Sequence, residues 1–386
     1  MSADADAVYI VGAGRTRFGR HDDISDLALA ATACRLALAD AGVSWAEIDL
    51  AVGGTNGETK PDNLPTTMGL TGLPFVTVRN GCATGGVAML TAANAIRAGG
   101  GDLAVVLGYD NHARGAFNSS PARYGIADWY GQTGMMVTTQ YFALKAQRYL
   151  FDHGISENAL AAVSVKAFAN GSEHPLAWRR EPLTAEQVLA ADMVNPPLTR
   201  YMFCAPGAGA VALVLARGDR AFDLCDAPIR IASVALRGRQ FGSFEVFSPW
   251  LTPGEHISPS ATAAAAAFTS AGITPADVQV AQLQDTDSGA EIIHMAETGL
   301  CGHGDQERLL AEGATEAAGR LPINTDGGLL ANGEPVGASG LRQVHEVVRQ
   351  LQGNTPGRQV PGDPRVGFTH VYGAPGISAC SILIRD

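Results

Sequence analysis

Of six cysteines, at positions 34, 82, 204, 225, 301 and 380, one stands where a sulfur could do chemistry. The stretch Val76 to Asn94 reads VTVRNGCATGGVAMLTAAN, in which two alternating valines read as a strand and the small residues from Ala83 to Ala93 read as a helix. A strand therefore hands Cys82 to the start of a buried helix, whose free amides and partial positive charge favour a thiolate. Gly81 and Gly85 flank it and let a substrate approach the backbone closely. Cys82 is thus a candidate nucleophile; the competing reading is a small apolar cysteine filling a gap in the core.

Other chemistry-bearing residues carry blander readings. Asp285 and Asp287 resemble a metal pair, but no histidine stands at a matching position and a solvated helix N-cap explains them. His112, just after a strand ending at Tyr109, reads equally well as a pocket residue or a surface-loop histidine. The cysteines form no CxxC pair, which fits reduced thiols in a cytoplasm and offers no zinc site.

The elements that must position Cys82 follow from periodicity and capping. Ala7 to Val11 reads as a buried strand and Gly12 to Gly19 as a glycine-rich turn; its Gly12-Ala-Gly14 lacks the third glycine and the following helix of a dinucleotide fingerprint. Ser25 to Ala41 reads as a helix closed by Gly42, and Asp49 to Gly53 as the next strand. Three segments then recur 230 positions later: Ala31-Thr-Ala, Ala41-Gly-Val and Ala46 to Ala51 reappear as Ala261-Thr-Ala, Ala271-Gly-Ile and Ala276 to Ala281. A constant offset implies two copies of one strand, helix, strand unit. Asp102 to Tyr109 and Arg365 to Tyr372 read as corresponding buried strands. Ala210 to Ala216 and Ser378 to Ile384 read as edge strands closing each half. The segment from about 111 to 206, with a helix at Thr138 to His153, is an insertion in the first copy only. Insertions of this size more often shape a substrate site than support a core.

Composition bounds the rest. At 386 residues, 46% hydrophobic and 17% charged, the chain has ample core material. A net charge of −11 argues against binding a polyanion backbone. The N-terminal residues suggest neither a signal nor a transit peptide, and no apolar run reaches membrane-spanning length. A cytoplasmic protein is expected.

Two longer stretches carry a family resemblance: Pro322 to Gly353, PINTDGGLLANGEPVGASGLRQVHEVVRQLQG, and Gln284 to Gly304, QDTDSGAEIIHMAETGLCGHG. With Cys82 and the duplication, they make the chain resemble the thiolase superfamily over nearly its whole length, and within it the sterol-carrier-type (lipid-transfer) thiolases. The resemblance implies an α/β thiolase fold: two stacked βαβαβαββ halves in five layers, residues 1–225 and 226–386, with an inserted loop domain. It also implies a coenzyme A thioester substrate, no metal in this chain and a homodimer. A small OB-fold, zinc-ribbon partner in an α2β2 complex is expected by the same likeness.

A thiolase needs a cysteine to take the acyl group, a base to deprotonate it, and a group that moves the α-carbon proton while an oxyanion hole holds the enolate. The cysteine setting is matched at Cys82. The family's Gly-His-Pro reads Gly333-Glu334-Pro335; its second cysteine is missing from His370-Val371-Tyr372-Gly373; and the subgroup's His-Asp-x-Phe reads Gln284-Asp285-Thr286-Asp287. Three outcomes are open. Cys82 forms an acyl-enzyme with Glu334 as base and Tyr372 or His370 at the α-carbon, on a branched, aromatic or carboxylated β-ketoacyl-CoA of the acylsuccinyl type. Or the chain cleaves a β-hydroxyacyl-CoA by retro-aldol chemistry, although the aldolases' tyrosines are absent at Gln284 and Glu334. Or it is a non-catalytic subunit that binds acyl-CoA or a partner. By the resemblance Asn324 and Gly373 lie beside the cysteine, with Gly373 offering an oxyanion-hole amide, and Gln284, Asp287 and His112 border the substrate. Arg179 and Arg180 are candidates for coenzyme A phosphates or a substrate carboxylate.

Overall fold

A computed structural model describes residues 6–115, 119–248 and 257–386. In chain order its strands are β1 (Val8–Arg15), β2 (Leu50–Gly54), β3 (Phe75–Thr77), β4 (Leu103–Asn111), β5 (Met193–Asn195), β6 (Leu198–Thr199), β7 (Ala208–Arg217), β8 (Ile229–Gly238), β9 (Val280–Leu283), β10 (Val366–Gly373) and β11 (Ile377–Ile384). Nine of them run side by side in the order β3-β2-β4-β7-β1-β8-β11-β10-β9, while β5 and β6 form a separate ribbon. The β2–β3, β2–β4 and β9–β10 pairs are parallel and the rest antiparallel. Where the first copy meets the second, β1 and β8 share only the pairs Tyr9–Arg230 and Ile10–Ile229.

The repeat is visible as geometry. Helix Asp26–Ala41 starts on a Ser25 cap and ends on Gly42 at φ 67, followed by a capping-box turn at Ser44 to Glu47 and then β2. Helix Pro259–Ala271 starts on a Ser258 cap and ends on Gly272 at φ 68, followed by a capping-box turn at Thr274 to Asp277 and then β9. Glycine takes this left-handed closing position without the steric cost other residues bear. The first of these helices packs on β1 and β7 and the second on β8 and β11, so each copy covers one outer face. Between them, helices Thr84–Arg97 and Val336–Gln352 pack on one another and on β4. Within the inserted segment, helices Thr138–His153 and Glu157–Glu173 lean on helix Ser288–Glu297 of the second copy.

Two expectations change. Gly12 and Gly14 do not open a turn: β1 continues to Arg15, and Cβ atoms there would lie 2.4 Å from the carbonyls of Ala37 and Ala33. These glycines let a helix lie almost in contact with the strand. β7 and β11 are not edge strands either, since each is paired on both sides and the edges are β3 and β9. Their unbroken apolar burial fits an interior position.

The second helix pair is bound to β1 by buried charge. Asp326 lies between the guanidinium groups of Arg15 and Arg342, all of them fully buried. Arg15 also donates to Asn332, and Arg342 to Gln282 at 3.0 Å. Burial alone would raise the Asp326 carboxyl, but Arg342 and Arg15 outweigh it and hold it far below the usual range. This cluster fixes the turn leading into the short helix Gly328–Asn332 and thence to Glu334.

Two stability outcomes follow. Gly108→Ala would set a Cβ 2.2 Å from the Gly337 carbonyl, and should cost about 1–3 kcal/mol as overpacking does, read as a lowered melting temperature. Asp326→Asn leaves two buried cations and should cost about 3–5 kcal/mol. Because the folded-state pKa is depressed, the carboxylate's contribution is complete above its unfolded pKa of about 4 and drains as pH falls below it. Acid unfolding curves should therefore be shallower for the variant between about pH 4 and pH 2.

Candidate active site

A cavity of about 680 Å³ opens at the ends of β10 and the two buried helices. Cys82, Glu334 and Tyr372 all line it. Cys82 lies one residue before Ala83, the N-cap of helix Thr84–Arg97, and Glu334 lies one residue before Pro335, the N-cap of helix Val336–Gln352. The chain folds this way because glycines remove the side chains that would keep the helices apart. A Cβ on Gly85 would sit 2.8 Å from the Leu341 amide, and one on Gly340 would sit 3.3 Å from the Gly86 amide. Gly81, at φ 58, makes the turn into Cys82, and Gly333, at φ 73, makes the turn into Glu334 with Trp178 packed against it.

Glu334 is 2% exposed and every partner it has converges on the cysteine. Gln284 donates to its Oε1 at 2.9 Å and the Cys204 thiol donates to its Oε2 at 3.3 Å. Its main chain is held by Ala205, whose carbonyl accepts from the Glu334 amide at 2.8 Å. The Cys82 sulfur lies near enough to this carboxylate to feel its charge. Burial, then the charge and hydrogen bond of Glu334, then Asp110, push the Cys82 thiol well above its ordinary value. The helix N-terminus therefore does not yield the resting thiolate expected from sequence. A neighbouring carboxylate and a dry surrounding outweigh the helix dipole, so the pair rests as thiol and acceptor. Cys204 is raised by the same sequence of causes, burial first and Glu334 next. Nothing in the sequence marked Cys204, because it reaches Glu334 from the inserted segment across 130 residues of chain.

Tyr372 is 4% exposed, and its phenol donates to Glu245 Oε2 at 2.6 Å. Gly373 packs directly on the cysteine turn, where a Cβ would sit 2.4 Å from the Asn80 carbonyl and 2.8 Å from the Ala83 amide.

Several expected residues lie elsewhere. His370 is fully buried, takes part in a 2.8 Å hydrogen bond with Ser260, and does not line the cavity. Burial first, then His294, hold its imidazole well below the ordinary value, so it is a neutral core histidine. Asn324 is buried at φ 55, accepting from Leu283 at 2.9 Å and donating to Glu291 at 2.7 Å, which is a structural role. Asp285 caps helix Gly328–Asn332, accepting from the amides of Leu329 and Leu330. Asp287 is an N-cap as expected, accepting from Ala290, but a buried one instead of a solvated one. Burial raises it to about 7, only partly offset by the amides of Ala290 and Gly289 and by Lys145. It borders a void of about 10 Å³ with Lys145, His294 and Tyr372, and its neighbour Thr286 lines the large cavity in its place. His112 stands just behind the lining, with Nε2 3.2 Å from Asp110. Asp110 also accepts from the amides of Asn56 and Gly57. Burial would raise that carboxyl, but the hydrogen bond and charge of His112, with Thr55 and Gly337, bring it below the ordinary value.

Arg179 donates to the Leu330 carbonyl at 3.0 Å and stacks on Phe168 and Trp178, bracing the helix before Glu334 and not reaching the cavity. Arg180 is exposed and does not line it. The guanidinium groups at the cavity are those of Arg79, Arg123 and Arg239 instead, with Phe142, Tyr124 and Phe247 supplying aromatic surface. Arg79 was legible as the residue before Asn80-Gly81-Cys82; the others come from loops that only folding brings near. Among the described residues no group of three or more metal-ligating side chains occurs, and no helix is long and apolar enough to cross a membrane.

Comparison with known proteins agrees with this geometry. Residues 8–180 match the thiolase N-terminal domain and residues 255–386 a thiolase C-terminal domain-like family. The chain is 30% identical over 371 residues to the benzoylsuccinyl-CoA thiolase subunit BbsB of Thauera aromatica, covering 95% of this chain and 94% of that one. It is 31% identical over 396 residues to an acetyl-CoA acetyltransferase of Methanothermobacter thermautotrophicus, covering 98% and 99%. Among solved structures, the Ltp2-ChsH2(DUF35) aldolase superposes with a TM-score of 0.88 at 25% identity, covering 99% of this chain and 98% of that one. By sequence family, by fold and by the cysteine turn at its centre, the chain belongs to the thiolase superfamily, in its sterol-carrier-type, lipid-transfer-like subgroup with altered catalytic motifs.

Proposed function

We propose that the protein makes or breaks a carbon–carbon bond in an acyl-CoA thioester through an acyl group carried on Cys82. The observation that carries this reading is that Cys82 and Glu334 line one cavity, with the Glu334 carboxylate held there by Gln284 and Cys204. In the cleavage direction Glu334 takes the thiol proton as the sulfur attacks the β-carbonyl, so that no resting ion pair is needed. Gln284 and Cys204 hold both carboxylate oxygens in place for that transfer. When coenzyme A attacks the acyl group, its thiol proton replaces the one that Tyr372 gave to the α-carbon, and Glu334 returns its own proton to the departing Cys82 sulfur. Tyr372 faces the same cavity and serves the α-carbon, a role His370 is too remote to take.

A β-ketoacyl substrate with a bulky or carboxylated acyl part suits the lining. Phe142, Tyr124, Phe247 and Val246 accommodate apolar or aromatic groups, and Arg79, Arg123 and Arg239 suit carboxylate or coenzyme A phosphates. The likeness to a benzoylsuccinyl-CoA thiolase subunit points the same way. The likeness to an aldolase structure favours a second reading, retro-aldol cleavage of a β-hydroxyacyl-CoA without an acyl-cysteine. In the larger organisation, residues 1–225 and 226–386 are assigned as the two halves, acting in the cytoplasm. The short edge strand β3, with Val76 40% exposed, is assigned as the seam of a homodimer, because an unpaired strand edge is a template for a second copy. A small OB-fold, zinc-ribbon subunit completes the proposed assembly; the name of the similar aldolase structure likewise pairs two components.

Three outcomes test these assignments. Cys82→Ala should abolish thiolysis of acyl-CoA probes; retention of turnover would exclude acyl-cysteine chemistry and leave the retro-aldol reading. Glu334→Gln should lower turnover by about 10²–10⁴-fold, as loss of a general base does, while moving Cys82 alkylation by iodoacetamide to lower pH. The sign follows because removing the carboxylate removes a cause that raises the thiol pKa, so more thiolate exists at a given pH. Val76→Lys should shift light-scattering mass from dimer towards monomer, and an unchanged mass would place the seam elsewhere.

A further inference from the structure

Tyr372, which lines the same cavity as Cys82 and Glu334, is hydrogen-bonded to a buried carboxylate that the family motifs do not mark. The Tyr372 phenol donates to Glu245 at 2.6 Å, and the Val246 amide approaches the phenolic oxygen at 3.4 Å. Glu245 is 2% exposed and belongs to the loop after β8, where the Ser248 amide bonds back to its carbonyl at 2.8 Å. Phe247 in that loop takes φ 58, so a costly backbone conformation is kept where the carboxylate meets the phenol. Tyr372 lies in the wall between the large cavity and the small void, so its ring separates substrate space from a buried polar cluster.

Among the described residues, charged and titratable groups near this pair come from three elements. Helix Thr138–His153 brings Tyr141 and Lys145; Lys145 lies 5.6 Å from the Tyr372 ring centre and 3.7 Å from Glu297. Helix Ser288–Glu297 brings His294 and Glu297, with Asp287 at its cap. Arg239 and Glu245 both abut Gly376. Burial would lower the Lys145 ammonium, but Glu297, Glu245, Tyr141 and Asp287 together raise it, so the cluster contains a permanent cation.

We propose that Glu245 is the proton store for the substrate α-carbon, acting through the Tyr372 phenol, as a pair separate from Cys82 and Glu334. In the carbanion-forming direction the α C–H bond breaks and its electron pair passes into the thioester enolate. The proton goes to the Tyr372 oxygen as the phenolic proton passes to Glu245 Oε2. Glu245 becomes neutral as the enolate becomes negative, so one negative charge moves within the site and no free phenolate forms. In the cleavage direction the same steps run backwards: Glu245 starts neutral, protonates the new α-carbon through Tyr372, and is reprotonated by the thiol of the incoming coenzyme A. Tyr372 is the catalytic residue and Glu245 the residue that acts through it. The inference rests on the acyl-CoA reading of the cavity.

The test is exchange of the C2 hydrogens of acetyl-CoA in D2O, followed by mass, with iodoacetamide alkylation of Cys82 as a measure of the other pair. Wild-type protein should exchange. Glu245→Gln, which keeps the shape, should slow exchange about 100-fold or more, as loss of a proton acceptor does, with alkylation changed less than twofold. Tyr372→Phe should do the same, the double variant should be no slower than either single one, and Glu245→Asp should recover part of the rate. Wild-type rates in Glu245→Gln, multiplicative losses in the double variant, parallel loss of alkylation, or no exchange by wild type would each overturn the proposal. Failure of the acyl-cysteine reading is seen separately, as turnover retained by Cys82→Ala while C2 exchange still depends on Glu245.

Discussion

The site depends on two helices packed almost backbone to backbone. Helices Thr84–Arg97 and Val336–Gln352 come from different halves of the chain, and their contact is made through Gly85 and Gly340, where added methyl groups would sit 2.8 Å from the Leu341 amide and 3.3 Å from the Gly86 amide. The two N-termini consequently open on one cavity, each with its chemical residue one position before the N-cap. A sulfur and a carboxylate more than 250 positions apart are brought to one cavity wall by that packing.

That geometry changes the electrostatics expected of a cysteine at a helix start. The helix dipole contributes less than about 2 kcal/mol even in partly buried settings, whereas burial beside an anion moves a thiol by several times that energy. In the proposed reaction the sulfur stays protonated until a carbonyl is in reach, and the carboxylate then receives the proton. Gln284 and Cys204 each occupy one oxygen of Glu334, which directs its remaining lone pairs at Cys82. The buried Arg15, Asp326 and Arg342 cluster fixes the preceding turn, so the carboxylate stands on rigid main chain.

The inserted segment contributes more than a cover. It supplies Cys204 to the carboxylate, Phe142 and Tyr124 to the cavity lining, and Lys145 to the cluster behind Tyr372. Its helices pack on helix Ser288–Glu297 from the second half, so cavity walls and catalytic turns are anchored to the same elements. Arg179, a candidate phosphate or carboxylate ligand by its sequence, instead braces the helix before Glu334 by bonding to two carbonyls of that helix.

Local and repetitive features were legible in the sequence for a physical reason: caps, glycine closures and apolar periodicity act over a few residues. The helix at Thr138–His153, the paired units 230 positions apart and Cys82 at a strand-to-helix turn all follow from such short-range rules. Glu334 was legible as well, because it replaces a motif residue whose neighbours are kept. Tertiary structure alone decided that Gly12 and Gly14 serve helix contact and not a turn, that β7 and β11 are interior, and that His370 and Asn324 face the core. It alone brought Cys204, Glu245, Arg123 and Arg239 to the site. Side-chain direction at a strand end and proximity across loops depend on which surfaces pack together, and no spacing along the chain encodes that choice.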